Sequence, residues 1–262
     1  MKDRGKKLKK LLVNLAPYHC MPVSLFKHRR KSAIIAKDRP FVSSDLRSVF
    51  TTLKAQNEHE FLLITRTLLC IIDLIDHYTY SHSIRVTRYC DLMSAALQMP
   101  AQDSKILHVG ALLHDVGKIA IGKEILCKAG PLNDHEWQLV KEHPILGAEM
   151  LQQAGYYDRA VPIVRHHHER FDGHGYPNGL SGEAIPFAAR ILAVADSFDA
   201  MTTDRPYSPR LTCQQAIEEL WHCTPEQFDP AFVQIFTSRL QEEQVDKKRA
   251  RYKPDPSVSF CP

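Results

Sequence analysis

HHHERFDGHGYPNGL, residues 166–180, is the stretch whose reading decides this chain. Three histidines run into Glu169, Arg170 and Asp172, and the segment then turns through Gly175-Tyr176-Pro177. An apolar helix face cannot continue through those charges, and the glycines and proline demand a turn. Imidazoles and carboxylates held together are ligands for Zn, Fe, Mn or Co. Upstream, LLHDVGK at 112–118 makes a second dense site, with His114 beside Asp115 and Lys118 three residues on. Neighbouring side chains on a helix diverge by about 100°. One member of such a pair can therefore face one metal while a bridging carboxylate reaches two. Both segments are read as feeding one metal site.

The rest of the composition sets bounds. A chain of 262 residues with 44% apolar and 24% charged residues can build one large domain, or a domain with an extension. Its net charge of +4 is uneven. Residues 1–40 carry 12 Lys and Arg against Asp3 and Asp38, a net of +10, so the remainder carries 4 − 10 = −6. The basic segment is read as a flexible solvated arm, with contact to nucleic acid or anionic lipid as the alternative. Seven widely spaced cysteines without a C-x-x-C suit a reduced, cytoplasmic protein better than a disulfide framework. No apolar run approaches the ~20 residues of a membrane span; TLLCIIDLI is broken by Asp73.

The periodicity predicts an all-α fold. Ser43 and Ser44 are candidate caps for a helix from about Asp45 to Asp76, along a Leu46, Phe50, Leu53 stripe. Helices follow at 82–98 and 103–115, the second ending on His114-Asp115. Lys128 to Asn133 is a turn, 134–153 and 158–170 are helical, and 171–187 is a Gly/Pro-rich loop. Further helices are expected at 188–203, 212–222 and 229–244, with fraying after Asp246. Three more residues join the candidate ligands. Asp196 interrupts the apolar run ILAVADSF, where a carboxylate is costly unless paired or metal-bound. His82 opens a helix, and His143 precedes Pro144 at another helix start. Taken singly, each is more often a surface or core residue; taken with the two dense sites, they read as ligands. His59, His77, His108, His135 and His222 are left as structural or surface residues.

Together these segments resemble a known family. YTYSHSIRV at 78–86, HDVGK at 114–118, His143-Pro144, HHERFDGHGYP at 167–177 and RILAVADSFDAMTTDRPY at 190–207 are similar to the HD-GYP domain. That domain is a branch of the HD superfamily of metal-dependent phosphohydrolases. The HD pair alone is a weak signal; joined to HHExxDGxGYP it is specific. The resemblance runs from about Asp76 to Phe236 and implies an HD-domain helical bundle with additional C-terminal helices and a GYP loop. Residues 41–75 are then a helical extension, 76–245 the catalytic domain and 246–262 a tail.

The resemblance also implies an activity: hydrolysis of cyclic di-GMP to pGpG or GMP through a hydroxide bridging two divalent ions. Fe or Mn is expected, with Zn, Co, Ni or Mg as alternatives. One ion would take His82, His114, Asp115 and Asp196; the other would share Asp115 and take His143, His167 and His168. A third metal seen in some members needs a glutamate where this chain has Tyr78, so two are expected. Ala129 replaces a usual proline. Asp115 and Lys118 carry the catalytic assignments. Lys118 and Arg190 are the candidate substrate contacts, and Gly175, Tyr176 and Pro177 shape a loop beside the pocket. A diguanylate cyclase docking on that loop and a homodimer are possible partners. Two other readings stay open: an HD phosphohydrolase of another nucleotide or cyclic dinucleotide, and a non-enzymatic sensor or docking module.

Overall fold

The computed structural model describes residues 57–128, 130–155, 157–204 and 209–251. The basic arm, the start expected near Asp45, Ala129 and the tail beyond Arg251 lie outside the described residues. Every regular element among the described residues is helical.

Helix α1 spans Glu58–Ile75 and starts on Asn57, whose extended backbone and side chain cap the Glu60 N–H. A helix running unbroken from Asp45 is therefore ruled out at Asn57. Asp76 closes α1 and at once caps α2 (His77–Ala96) by accepting the Tyr78 N–H, so α2 begins a turn and a half before His82. Helix α3 (Ala101–Leu113) stops one residue short of the His-Asp pair. Asp115 leaves helical geometry at φ −96, ψ 5 and leads into a 3₁₀ turn, Val116–Ala120. A short α4 (Lys123–Leu126) precedes α5 (Asp134–Val140), which carries an Asn133/Glu136 capping box.

The helix expected over 134–153 is two helices. The chain breaks at Lys141-Glu142, and α6 (His143–Ala154) restarts on His143 with Pro144 in its first turn. Similarly, the helix expected to 170 is α7 (Val161–His166), which ends where the candidate ligands His167 and His168 begin. Helix α8 (Phe187–Thr202) is the axis of the molecule. Ile191, Leu192, Val194, Ala195 and Phe198 are buried on it, and it packs against α2, α7, α9 (Cys213–His222) and α10 (Pro230–Arg251). Helix α10 continues past Asp246, where fraying is expected.

The boundary expected at residue 76 does not divide two cores. Phe61, Ile64, Leu68 and Ile72 of α1 join the same buried cluster as Leu107, Leu113, Ile191 and Phe236. Ring contacts Tyr89–Phe198 and Phe198–Phe236, both edge-on, tie α2, α8 and α10 together.

Candidate metal centre

Four histidines are aimed into one place by their outer ring nitrogens. The Nδ1–H of His114 donates to the Ala111 carbonyl, that of His143 to Val140 and that of His167 to Val164, each at 2.7 Å. Each acceptor lies three residues back, in the last turn of a helix, where carbonyls lack intrahelical partners. A carbonyl only accepts, so Nδ1 must hold the proton and Nε2 must present a lone pair. His82 follows the same rule with a different acceptor: its Nδ1 lies 2.7 Å from Asp199 Oδ2.

The inward nitrogens converge. His82, His114 and Asp115 offer ligand atoms within 4.8 Å of one another, and so do His143, His167 and His168. Asp115 spans the two groups: Oδ2 lies 3.3 Å from His114 Nε2, and Oδ1 lies 3.2 Å from His143 Nε2. Asp196 Oδ1 sits 2.8 Å from His82 Nε2 and 3.9 Å from His114 Nε2. All seven sequence candidates for ligands thus meet in one place. His82, His114, Asp115, His143, His167 and Asp196 are buried, and His168 is partly so.

The donor set fits divalent cations. His143 Nε2 and His167 Nε2 face each other at 3.3 Å, although both rings already hold their proton on Nδ1. Two lone pairs pointed together in a dry interior repel, and a cation between them reverses the sign. The proton equilibria agree. Burial lowers His167 well below the ordinary imidazole value, and the nearby His114 and His143 push it further. Burial alone would raise Asp115, but Lys118, His114 and His143 hold it well below the carboxylate range. Burial opposes the charge on His82 as well, yet Asp196 and Asp199 outweigh it and raise the ring to about 9, so that without a cation a second proton sits on Nε2 against Asp196, in the place an ion would take.

The segment Gly175-Tyr176-Pro177 lies against His168. The Tyr176 ring lies over His168, with centroids 4.8 Å apart, and the Tyr176 N–H donates to the His168 carbonyl. Gly175 makes that return possible: a Cβ there would lie 2.3 Å from the Arg170 nitrogen. Glu169, buried, accepts the Asn178 and Leu180 N–H groups at 2.8 and 3.0 Å and so pins the loop. Lys141 stands over both the Trp137 and Tyr176 rings.

Lys118 and Arg190 are both held in ion pairs. Lys118 Nζ bonds Asp115 Oδ2 at 2.7 Å, so it stands at the ligand cluster as a counter-charge. Arg190 bonds Asp229 at 2.5 Å between the Phe187 and Phe232 rings. That guanidinium joins α8 to the start of α10. The sequence reading assigned no role to Asp199, Arg85 or Glu169. Spacing could have found the first two: Arg85 follows His82 by three on α2, as Asp199 follows Asp196 by three on α8.

Residues 66–232 match the family model described as the HD domain. The chain is 39% identical over 177 residues to the cyclic di-GMP phosphodiesterase response regulator RpfG of Xanthomonas campestris, covering 66% of this chain and 47% of that protein. It is 36% identical over 147 residues to 3′3′-cGAMP-specific phosphodiesterase 3 of Vibrio cholerae, covering 56% and 32%. The chain thus spans about half or less of the length of these curated relatives. Among solved structures, Bd1817, an HDGYP protein from Bdellovibrio bacteriovorus, superposes with a TM-score of 0.53 at 18% identity, over 74% of this chain and 67% of that one. That likeness concerns the fold.

Proposed function

The chain belongs to the HD domain family, and from that premise we propose that it is a metal-dependent phosphodiesterase of cyclic dinucleotides that cuts cyclic di-GMP. The observation that carries this reading is the set of four Nδ1-anchored imidazoles turned onto Asp115 and Asp196. His82, His114, Asp115 and Asp196 would hold one divalent transition-metal ion. Asp115, His143, His167 and His168 would hold the second.

Such ions supply Lewis acidity toward a phosphodiester. The chain supplies the rest. Asp115 stays ionised throughout the physiological range, because Lys118 and two imidazoles oppose its protonation despite full burial. It can therefore serve both groups at once through its two oxygens. The Lys118 ammonium, 13% exposed, is bonded to Asp115 of the cluster. There it can pair with a phosphate oxygen as negative charge grows on it. Tyr176 covers His168 and fixes the width of the site on the loop side.

Relatives named for cyclic di-GMP and for 3′3′-cGAMP both align with this chain, so the second dinucleotide is the alternative substrate. The test is incubation of the purified protein with each dinucleotide and Mn²⁺ or Fe²⁺, with products separated by chromatography. Faster conversion of cyclic di-GMP to pGpG or GMP supports the reading. Faster cleavage of 3′3′-cGAMP moves the assignment to that substrate, and no cleavage of either removes it.

A further inference from the structure

Three of the inward-facing histidines, His114, His143 and His167, donate their outer N–H to a neutral backbone carbonyl. The fourth, His82, faces a carboxylate with its Nδ1: Asp199, which is 1% exposed. Arg85 grips that carboxylate from the other side, Nε to Oδ1 at 2.7 Å and Nη2 to Oδ2 at 2.9 Å. Thr203 Oγ1 lies at 3.4 Å from the same oxygen. A buried carboxylate is expensive to leave alone, and the bidentate arginine keeps it charged and fixes its rotamer. The two matched spacings, His82/Arg85 on α2 and Asp196/Asp199 on α8, place all four groups in one layer between facing helices.

The charge inventory of the two ligand groups is therefore unequal. The His82 group has the shared Asp115, its own Asp196, and Asp199 polarising its imidazole. Lys118 offsets part of this through Asp115 Oδ2. Among the described residues, the His143 group brings three imidazoles and the shared carboxylate Asp115. Carboxylate charge and a carboxylate behind an imidazole both strengthen the hold on a divalent ion. Resting on the two-metal reading above, we propose that the two positions fill in order. The His82–Asp196 position retains its ion, the His143–His167–His168 position exchanges its ion readily, and Asp199 backed by Arg85 is the positioning pair behind the difference. Activity would then follow occupancy of the weaker position and hence the free metal concentration.

The full chain, stripped with a chelator, is titrated with Mn²⁺ while bound and free ion are measured directly. Two steps are expected, separated by roughly tenfold or more in affinity. Asp199→Asn should weaken the first step by about 10- to 100-fold and leave the second in place. Arg85→Gln, on a part-exposed side chain, should move the first step the same way, and it keeps the test open if Asp199→Asn does not fold. His167→Ala should erase the second step and spare the first. Two ions bound with equal affinity, or variants at Asp199 and Arg85 that leave the first step unmoved, overturn the ordering while the two-metal reading stands. Binding of no ion, or of one only, defeats that reading itself.

Discussion

Lys118 and His82 show how much can hang on one proton or one ammonium. Lys118 bonds Asp115 but is not placed to be a ligand, so Lys118→Ala should keep the metal content and the fold. Losing one charge-assisted contact at the transition state costs roughly 2–4 kcal/mol, about 10²- to 10³-fold in turnover. Wild-type turnover, or loss of metal, would show that its role is different. His82 offers a pH test in the chelated protein. Its folded value is raised from 6.5 to about 9, so its stabilisation is complete below 6.5 and is lost as pH rises through 9. The melting temperature of the metal-free protein should fall across that window, and His82→Gln should lack this component; identical profiles for the two proteins would refute it. At this scale the clustering of the candidate ligands was legible, because His and Asp are conspicuous where apolar residues belong. The pairing of Arg190 with Asp229 was not legible, because the two residues are remote in sequence.

Helix ends are the elements that make the centre. The sequence pattern ran 134–153 and 158–170 as single helices because the apolar period continues through both. The helices stop sooner, at Val140 and His166, since the terminal carbonyls are needed by the His143 and His167 rings. Periodicity reports which face is buried and is silent on where a ring N–H competes for the backbone. One approach holds the layers together: a Cβ on Gly117 would lie 2.0 Å from the His143 carbonyl oxygen and 2.6 Å from the Gly147 nitrogen. Backbone cannot yield as a side chain can, so Gly117→Ala should cost at least the roughly 1–3 kcal/mol of an overpacked core. It should also lower metal content, since it displaces His143 from Asp115; calorimetry and elemental analysis would both have to be unchanged for this to fail. Glu169→Ala should strand the Asn178 and Leu180 N–H groups, at about 1–3 kcal/mol each if they stay dry, and open the loop to proteolysis. A loop as protease-resistant as the wild type would count against that anchor.

Over the whole molecule, the candidate ligands come from α2, from the turns after α3 and α7, from the start of α6, and from α8. The all-α class was legible from periodicity and the loop from its glycines. The membership of α1 in the common core was not, because an amphipathic stripe does not say which surface it covers. Ions bound by the folded state alone should stabilise it by RT ln(1 + [L]/Kd), about 2.7 kcal/mol per site at a hundredfold excess over Kd. Two sites then raise the melting temperature by on the order of 10 °C. A scan that does not move between chelated and Mn²⁺-loaded protein would mean that the ions bind folded and unfolded chains alike.

The hydrogen bonds from imidazole to helix-end carbonyl have one more consequence, a spectroscopic one. Ring N–H protons normally trade with solvent too fast to observe, but those of His82, His114, His143 and His167 are sealed in the interior by their acceptors. In a diamagnetic zinc-loaded sample they should stand as separate far-downfield proton resonances. The one from His82, facing a carboxylate instead of an amide oxygen, should lie furthest from the others.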